Sequence, residues 1–175
     1  PPLGTVPPDR FIPVAEDSGL IGELGQWVLE QALRQWRDWQ RRGLAVGRLG
    51  LNVSALQLRD EGFINQVRAA LQLHGLAPEQ LELELTESAL QATEGAPERL
   101  RLLQTLGVRL ALDDFGTGYS SLATLKLLPL NRLKIDRSFV HELETETRDR
   151  ALVRAIVGMA DSLGLGVIAE GVETE

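Results

Sequence analysis

Short apolar strands and amphipathic helices take turns along this chain, and that alternation limits its fold more than any other feature. "LGLNVS" (49–54), "LELELTES" (81–88), "VRLALDDFG" (108–116), "NRLKID" (131–136) and "GVIAEGVE" (166–173) read as strands. Between them lie "FINQVRAALQLHG" (63–75), with Phe63, Val67, Ala70 and Leu71 at helical spacing, "PERLRLLQTLG" (97–107), "SSLATLKLLP" (120–129) and "RDRALVRAIVGMADSLG" (148–164), which read as helices. Upstream, residues 11–43 carry one or two helices closed by Gly43. Strands that alternate with helices form parallel βαβ crossovers, so the class is α/β.

An open doubly wound sheet and a (β/α)8 barrel share this alternation, and the polar residues separate them. In "LELEL", Leu81, Leu83 and Leu85 share one face and Glu82 and Glu84 the other, because side chains alternate along a strand. Asn52 stands opposite Leu51 and Val53 in the same way, and Lys134 opposite Leu133 and Ile135. A sheet covered by helices on both faces would press these groups into apolar packing at a cost of about 2 kcal/mol or more each. In a barrel they point inward, toward one another. Asn52, Glu84, Asp113 with Asp114, Lys134 and Glu170 then gather at or near the C-terminal strand ends, where barrel active sites lie. A TIM-like barrel is the expected fold.

One amide, several carboxylates and one lysine make a set that repels itself unless cations sit among them. With no cysteine, and with His74 and His141 in no ligand pair, the donors are hard oxygens that suit Mg²⁺ or Mn²⁺ better than Zn²⁺. Two ions about 3.5 to 4 Å apart can clamp the attacking and leaving oxygens of a phosphoester displacement, and adjacent aspartates can hold such a pair. Taken singly, each residue also has a plainer role. An aspartate at a strand end caps turns and helices, Glu82 or Glu84 can pair with an inward Arg or Lys, and Lys134 can be such a partner. The "GTG" turn (116–118) lacks the spacing of phosphate-binding fingerprints. Trp27, Trp36 and Trp39 are expected to pack a helix against the barrel or a partner, and both histidines to lie at the surface.

The chain has 175 residues, 43% hydrophobic and 25% charged, enough apolar material for the core of one domain. A net charge of -7 argues against a DNA or RNA polymer as partner, since phosphate backbones are held by clustered Lys and Arg. No apolar run is long enough to span a membrane and no signal peptide is visible, and the absence of cysteine agrees with a reducing, cytoplasmic setting. The chain begins at Pro1 and "PPLGTVPP" reads as a loop in progress, so a fragment of a longer protein is expected.

Six ordered segments carry a resemblance: "VPPDRFIPVAEDSGLI" (6–21), "NVSALQ" (52–57), "ELELTES" (82–88), "LALDDFGTGYSSL" (110–122), "LKID" (133–136) and "VIAEGVET" (167–174). Together they resemble the EAL domain of bacterial cyclic di-GMP phosphodiesterases, over essentially the whole chain. The resemblance implies a TIM-like barrel that hydrolyses cyclic di-GMP to linear pGpG with two Mg²⁺ or Mn²⁺ ions. It implies Asn52 and Glu84 as ligands of the first ion, Asp113 as the bridging carboxylate, Asp114 as a ligand of the second, and Glu170 as a support for the second ion and its water. Lys134 is similar to the lysine that contacts the attacking water and balances charge. Glu87 is similar to the glutamate that anchors the loop "DFGTGYSSL", through which relatives couple dimer contacts to catalysis.

The same resemblance sets expectations for what lies around the chain. The strand bearing the Glu-Ala-Leu signature is expected just before Pro1, and further barrel units after Glu175, so residues 1–175 are expected to be a partial domain with five strands of eight. A homodimer through the barrel is expected from it, and fused sensor or GGDEF-type domains and a parent tethered to a membrane are compatible with it. Some relatives keep the barrel and bind cyclic di-GMP without cutting it, usually with several of these residues replaced. Here they are intact, which favours the enzyme over the receptor.

Overall fold

The strand segments pair side by side, all parallel, in the order in which the chain makes them. The structure is a computed structural model that describes residues 4–116, 122–141 and 147–172. Helices α1 (Pro8–Asp17) and α2 (Ile21–Arg41) lead into β1 (Leu49–Asn52), followed by α3 (Ala55–Arg59) and α4 (Phe63–His74). Next come β2 (Leu81–Thr86), α5 (Glu87–Ala92), α6 (Ala96–Leu106), β3 (Arg109–Phe115) and α7 (Leu122–Leu127). The chain continues through β4 (Arg132–Ile135), α8 (Arg137–His141), α9 (Thr147–Leu163) and β5 (Gly166–Ala169). Four short helices, α3, α5, α7 and α8, have five or six residues each, and of these only α7 lies in a stretch that reads as helical from sequence.

The order β1-β2-β3-β4-β5 has no reversal, unlike a doubly wound sheet. Crossovers of one hand then stack the longer crossover helices on one face of the sheet. Accordingly α2 packs on α4, and α4 on α6. The sheet's helix-facing side is a ladder of leucines in register: Leu51 beside Leu83, Leu83 beside Leu110, Leu112 beside Leu133. Leu83, Leu110, Leu112 and Leu133 are at most 2% exposed, and they join Leu33, Trp36, Val67 and Leu100 in one core. Of the tryptophans only Trp36 is buried; Trp27 and Trp39 are exposed. Among the described residues β1 and β5 are open edges, so the sheet is an incomplete TIM-like barrel. No helix among them is long and apolar enough to cross a membrane.

Helices end where the next strand must begin. Gly75 (φ 65°) and Gly107 (φ 98°) adopt the left-handed conformation that stops α4 and α6. The next residues, Leu76 and Val108, bond back to Leu71 O and Leu103 O and are buried, turning the chain from helix surface into the sheet layer. At the other end of a crossover, Ser54 and Gln57 cap α3 reciprocally: Ser54 Oγ accepts from Gln57 N, and Gln57 Oε1 accepts from Ser54 N, both at 3.2 Å.

That buried cap fixes a glycine in α2. A β-carbon at Gly25 would lie 1.9 Å from Gln57 Nε2 and 2.6 Å from Gln57 Cδ. Gly25→Ala is therefore expected to force Gln57 out of the cap and to lower stability by about 1–3 kcal/mol in urea unfolding, the usual range for overpacking. An unchanged midpoint would show that Gln57 moves aside freely.

Candidate metal centre at the C-terminal strand ends

Alternation along the strands places one polar side chain of each on the concave face. Asn52 closes β1, in register with Glu84 of β2. Asp113 sits near the end of β3, Lys134 in β4, and Glu170 directly after β5, where its N–H extends the ladder to Ile135 O at 3.1 Å. Lys134 is the hub. Its Nζ lies 2.6 Å from Glu84 Oε2, 3.0 Å from Asp113 Oδ1 and 2.6 Å from Glu170 Oε1. An ammonium has three donors, and here each has a carboxylate from a different part of the sheet.

The lysine and Glu84 belong to strands that are not neighbours. Ala111 of the intervening β3, fully buried and paired with Glu84, has too short a side chain to block the crossing. One layer lower, Glu82 of β2 meets Arg132 of β4 at 3.2 Å and Arg48, just before β1, at 3.4 Å. Alternate strands thus fill successive layers, as in the interior of a (β/α)8 barrel. The two glutamates of "LELEL" separate by role: Glu82 is a structural ion pair at the floor, and Glu84 joins the hub.

Adjacent aspartates in a regular strand point to opposite faces. The β3–β4 register shifts between Leu112 and Phe115, and Asp114 has φ 53°. This bulge turns the Asp114 carboxylate so that Asp113, Asp114 and Glu170 each offer an oxygen within 4.8 Å of the others. Burial, then the charges of Asp113, Asp136 and Glu170, push the Asp114 pKa above its ordinary value, with Lys134 acting the other way. For Lys134 burial disfavours the charge, but hydrogen bonds to Glu170, Glu84 and Asp113 outweigh it and raise its pKa. In this arrangement the lysine is an ammonium that serves the three carboxylates as a shared charge partner. Hard oxygens crowded around one cation, with a neighbouring carboxylate still under repulsion, fit a divalent ion.

Glu87, the first residue of α5 and 3% exposed, accepts from Gly116 N through Oε1 at 3.1 Å. Thr86 caps the same helix through Oγ1 and Ala89 N. The loop expected to be anchored there continues into residues 117–121, which lie outside the described residues. His141 is exposed and His74 half-buried. Asp136, between β4 and α8, lay within the "LKID" segment, but its charge on Asp114 became visible only in three dimensions.

A parallel barrel-type sheet whose strand ends collect carboxylates around one lysine defines the class: a β/α-barrel protein with a centre able to hold divalent cations. The EAL domain family model matches residues 1–175, and the chain belongs to the EAL domain family. The bifunctional diguanylate cyclase/cyclic di-GMP phosphodiesterase MucR of Pseudomonas aeruginosa is 47% identical over 176 residues, covering 100% of this chain and 26% of MucR. The cyclic di-GMP phosphodiesterase NbdA of the same organism is 46% identical over 175 residues, 99% of this chain and 22% of NbdA. A solved structure of the PaMucR phosphodiesterase in complex with c-di-GMP superposes with a TM-score of 0.91 at 46% identity, covering 97% of this chain and 69% of that one. The chain spans about a quarter of the length of these curated relatives.

Proposed function

We propose that this chain carries the catalytic centre of a cyclic di-GMP phosphodiesterase that opens the cyclic dinucleotide to linear pGpG. The observation that carries this reading is the Lys134 hub, three carboxylates from separate strands converging beside Asp114, in a chain 47% identical to MucR. In this reading Asn52, Glu84, Asp113, Asp114 and Glu170 supply the oxygens for two divalent ions, Mg²⁺ or Mn²⁺. Such ions supply charge neutralisation at the phosphate and acidify bound water.

The residues of the chain then divide the remaining work. Hydrolysis adds water across one phosphodiester: the water oxygen bonds to phosphorus, the phosphorus–ribose oxygen bond breaks, and the freed oxygen takes up a proton. Lys134 holds Glu84, Asp113 and Glu170 at fixed spacing and balances their charge. With all three donors engaged, it donates to the attacking water by exchanging one carboxylate bond for it. Glu87 secures the chain just after the aspartate pair. A homodimer, neighbouring sensor or GGDEF-type domains and a cytoplasmic site of action belong to the same proposal; relatives about four times as long leave room for such domains.

Incubation of the protein with cyclic di-GMP and Mn²⁺, followed by chromatography, tests the reading. The expected result is pGpG that a chelator abolishes. Cyclic di-GMP that is bound but never cut would mean a receptor, and neither binding nor cleavage would remove the dinucleotide as ligand.

A further inference from the structure

Helix α8, the five residues Arg137–His141, leaves β4 directly after the hub lysine and takes no part in the chemistry above. Its start is tied to that strand: Asp136 Oδ1 accepts from Ser138 N at 2.9 Å and from the Ser138 hydroxyl. From there the helix touches the backbone of both segments that carry the carboxylate cluster. A β-carbon at Gly116, two residues past Asp114, would lie 2.7 Å from Phe139 Cε2 and 3.1 Å from Phe139 Cζ. A β-carbon at Gly171, next to Glu170, would lie 2.7 Å from Arg137 Cβ and 3.5 Å from Arg137 Cα. The ring edge of Phe139 therefore fills the space of a Gly116 side chain, and the start of α8 fills that of Gly171.

This contact matters because Asp114 leaves the extended backbone of the strand. A left-handed φ of 53° is easier for aspartate than for most L-residues, and at a strand end the surroundings decide whether it is kept. Downstream of Asp114 two groups impose it: the Glu87 carboxylate on Gly116 N, and the Phe139 ring against Gly116 itself. Were the ring removed, the end of β3 could relax toward extended backbone, which turns Asp114 to the face opposite Asp113.

We propose that Phe139 is a positioning residue of the metal centre: by clamping Gly116 it keeps the Asp114 carboxylate beside Asp113 and Glu170, while Arg137 seats Glu170 through Gly171. The inference rests on the metal-centre reading and adds to it a second support, on the side away from Glu87.

The test is Mn²⁺ binding without substrate, read from the electron paramagnetic resonance of free Mn²⁺, in the unmodified protein and in Phe139→Leu and Phe139→Tyr, with thermal unfolding followed in parallel. Leucine keeps apolar bulk but loses the flat ring edge, and tyrosine keeps it. Phe139→Leu is expected to weaken Mn²⁺ binding about tenfold, the scale on which groups orienting metal ligands act, and Phe139→Tyr to retain it. Unchanged affinity in Phe139→Leu, or a loss in Phe139→Tyr as large as that in Phe139→Leu, overturns the inference and leaves the metal centre standing. No Mn²⁺ binding by the unmodified protein overturns the metal-centre reading, and this inference with it.

Discussion

Lys134→Met is expected to destabilise the fold by about 3 kcal/mol at neutral pH, the lower end of what removing one partner of a buried ion pair costs. Methionine preserves the length of the side chain and removes its charge. Glu84, Asp113 and Glu170 would then face one another with no cation between them; their side chains are 15%, 10% and 32% exposed, too little for water to replace the ammonium fully. The sign of the pH dependence follows. The pKa of Lys134 is raised on folding, so its contribution is complete below the ordinary lysine value and is lost only as pH rises through the raised one. The deficit of the variant should therefore be full at pH 7 and equally full at pH 9, both below the ordinary lysine value. Urea unfolding at both pH values measures it. Equal stability of variant and parent at pH 7 would show that the three carboxylates find other compensation.

Asp113→Asn should leave the protein folded and lower the proposed hydrolysis of cyclic di-GMP about 10³-fold, the upper range for deleting one preorganised electrostatic group from an active site. The substitution keeps the shape of the side chain, and Lys134 keeps Glu84 and Glu170 as partners, so the hub survives. What disappears is one negative charge from the only cluster among the described residues that offers three grouped carboxylates to a metal. A parallel Mn²⁺ titration should show weaker binding, which separates loss of the ion from loss of the chain. Retained, chelator-sensitive turnover would place the chemistry elsewhere.

Much of this was legible in the chain. Strand and helix alternation, leucines at every second position of "LELEL", and glycines after the helical stretches fix a parallel sheet with one apolar and one polar face, because side-chain direction follows from backbone geometry alone. The polar residues at alternate strand positions, Asn52, Glu84, Asp113 and Lys134, could be assigned to one face for the same reason. The short helices α3, α5 and α8 could not be read, since a single turn and a half carries no period of its own and only α7, equally short, sits within a longer apolar stretch; the ends of β5 and its neighbours depend on pairing partners far along the chain.

The sequence by itself determined which residues share a face and that they are hard oxygen donors around one lysine; both depend on local alternation and residue chemistry. Tertiary structure decided how they divide. Glu82 and Glu84 are equivalent in the pattern, and only the neighbouring strands send the first to Arg48 and Arg132 and the second to Lys134. Asp113 and Asp114 should point apart in any regular strand; a register shift against β4 and a left-handed backbone at Asp114, held through Glu87 and α8, turn them together. Such a bulge is imposed by contacts between elements distant in sequence, so no local pattern announces it.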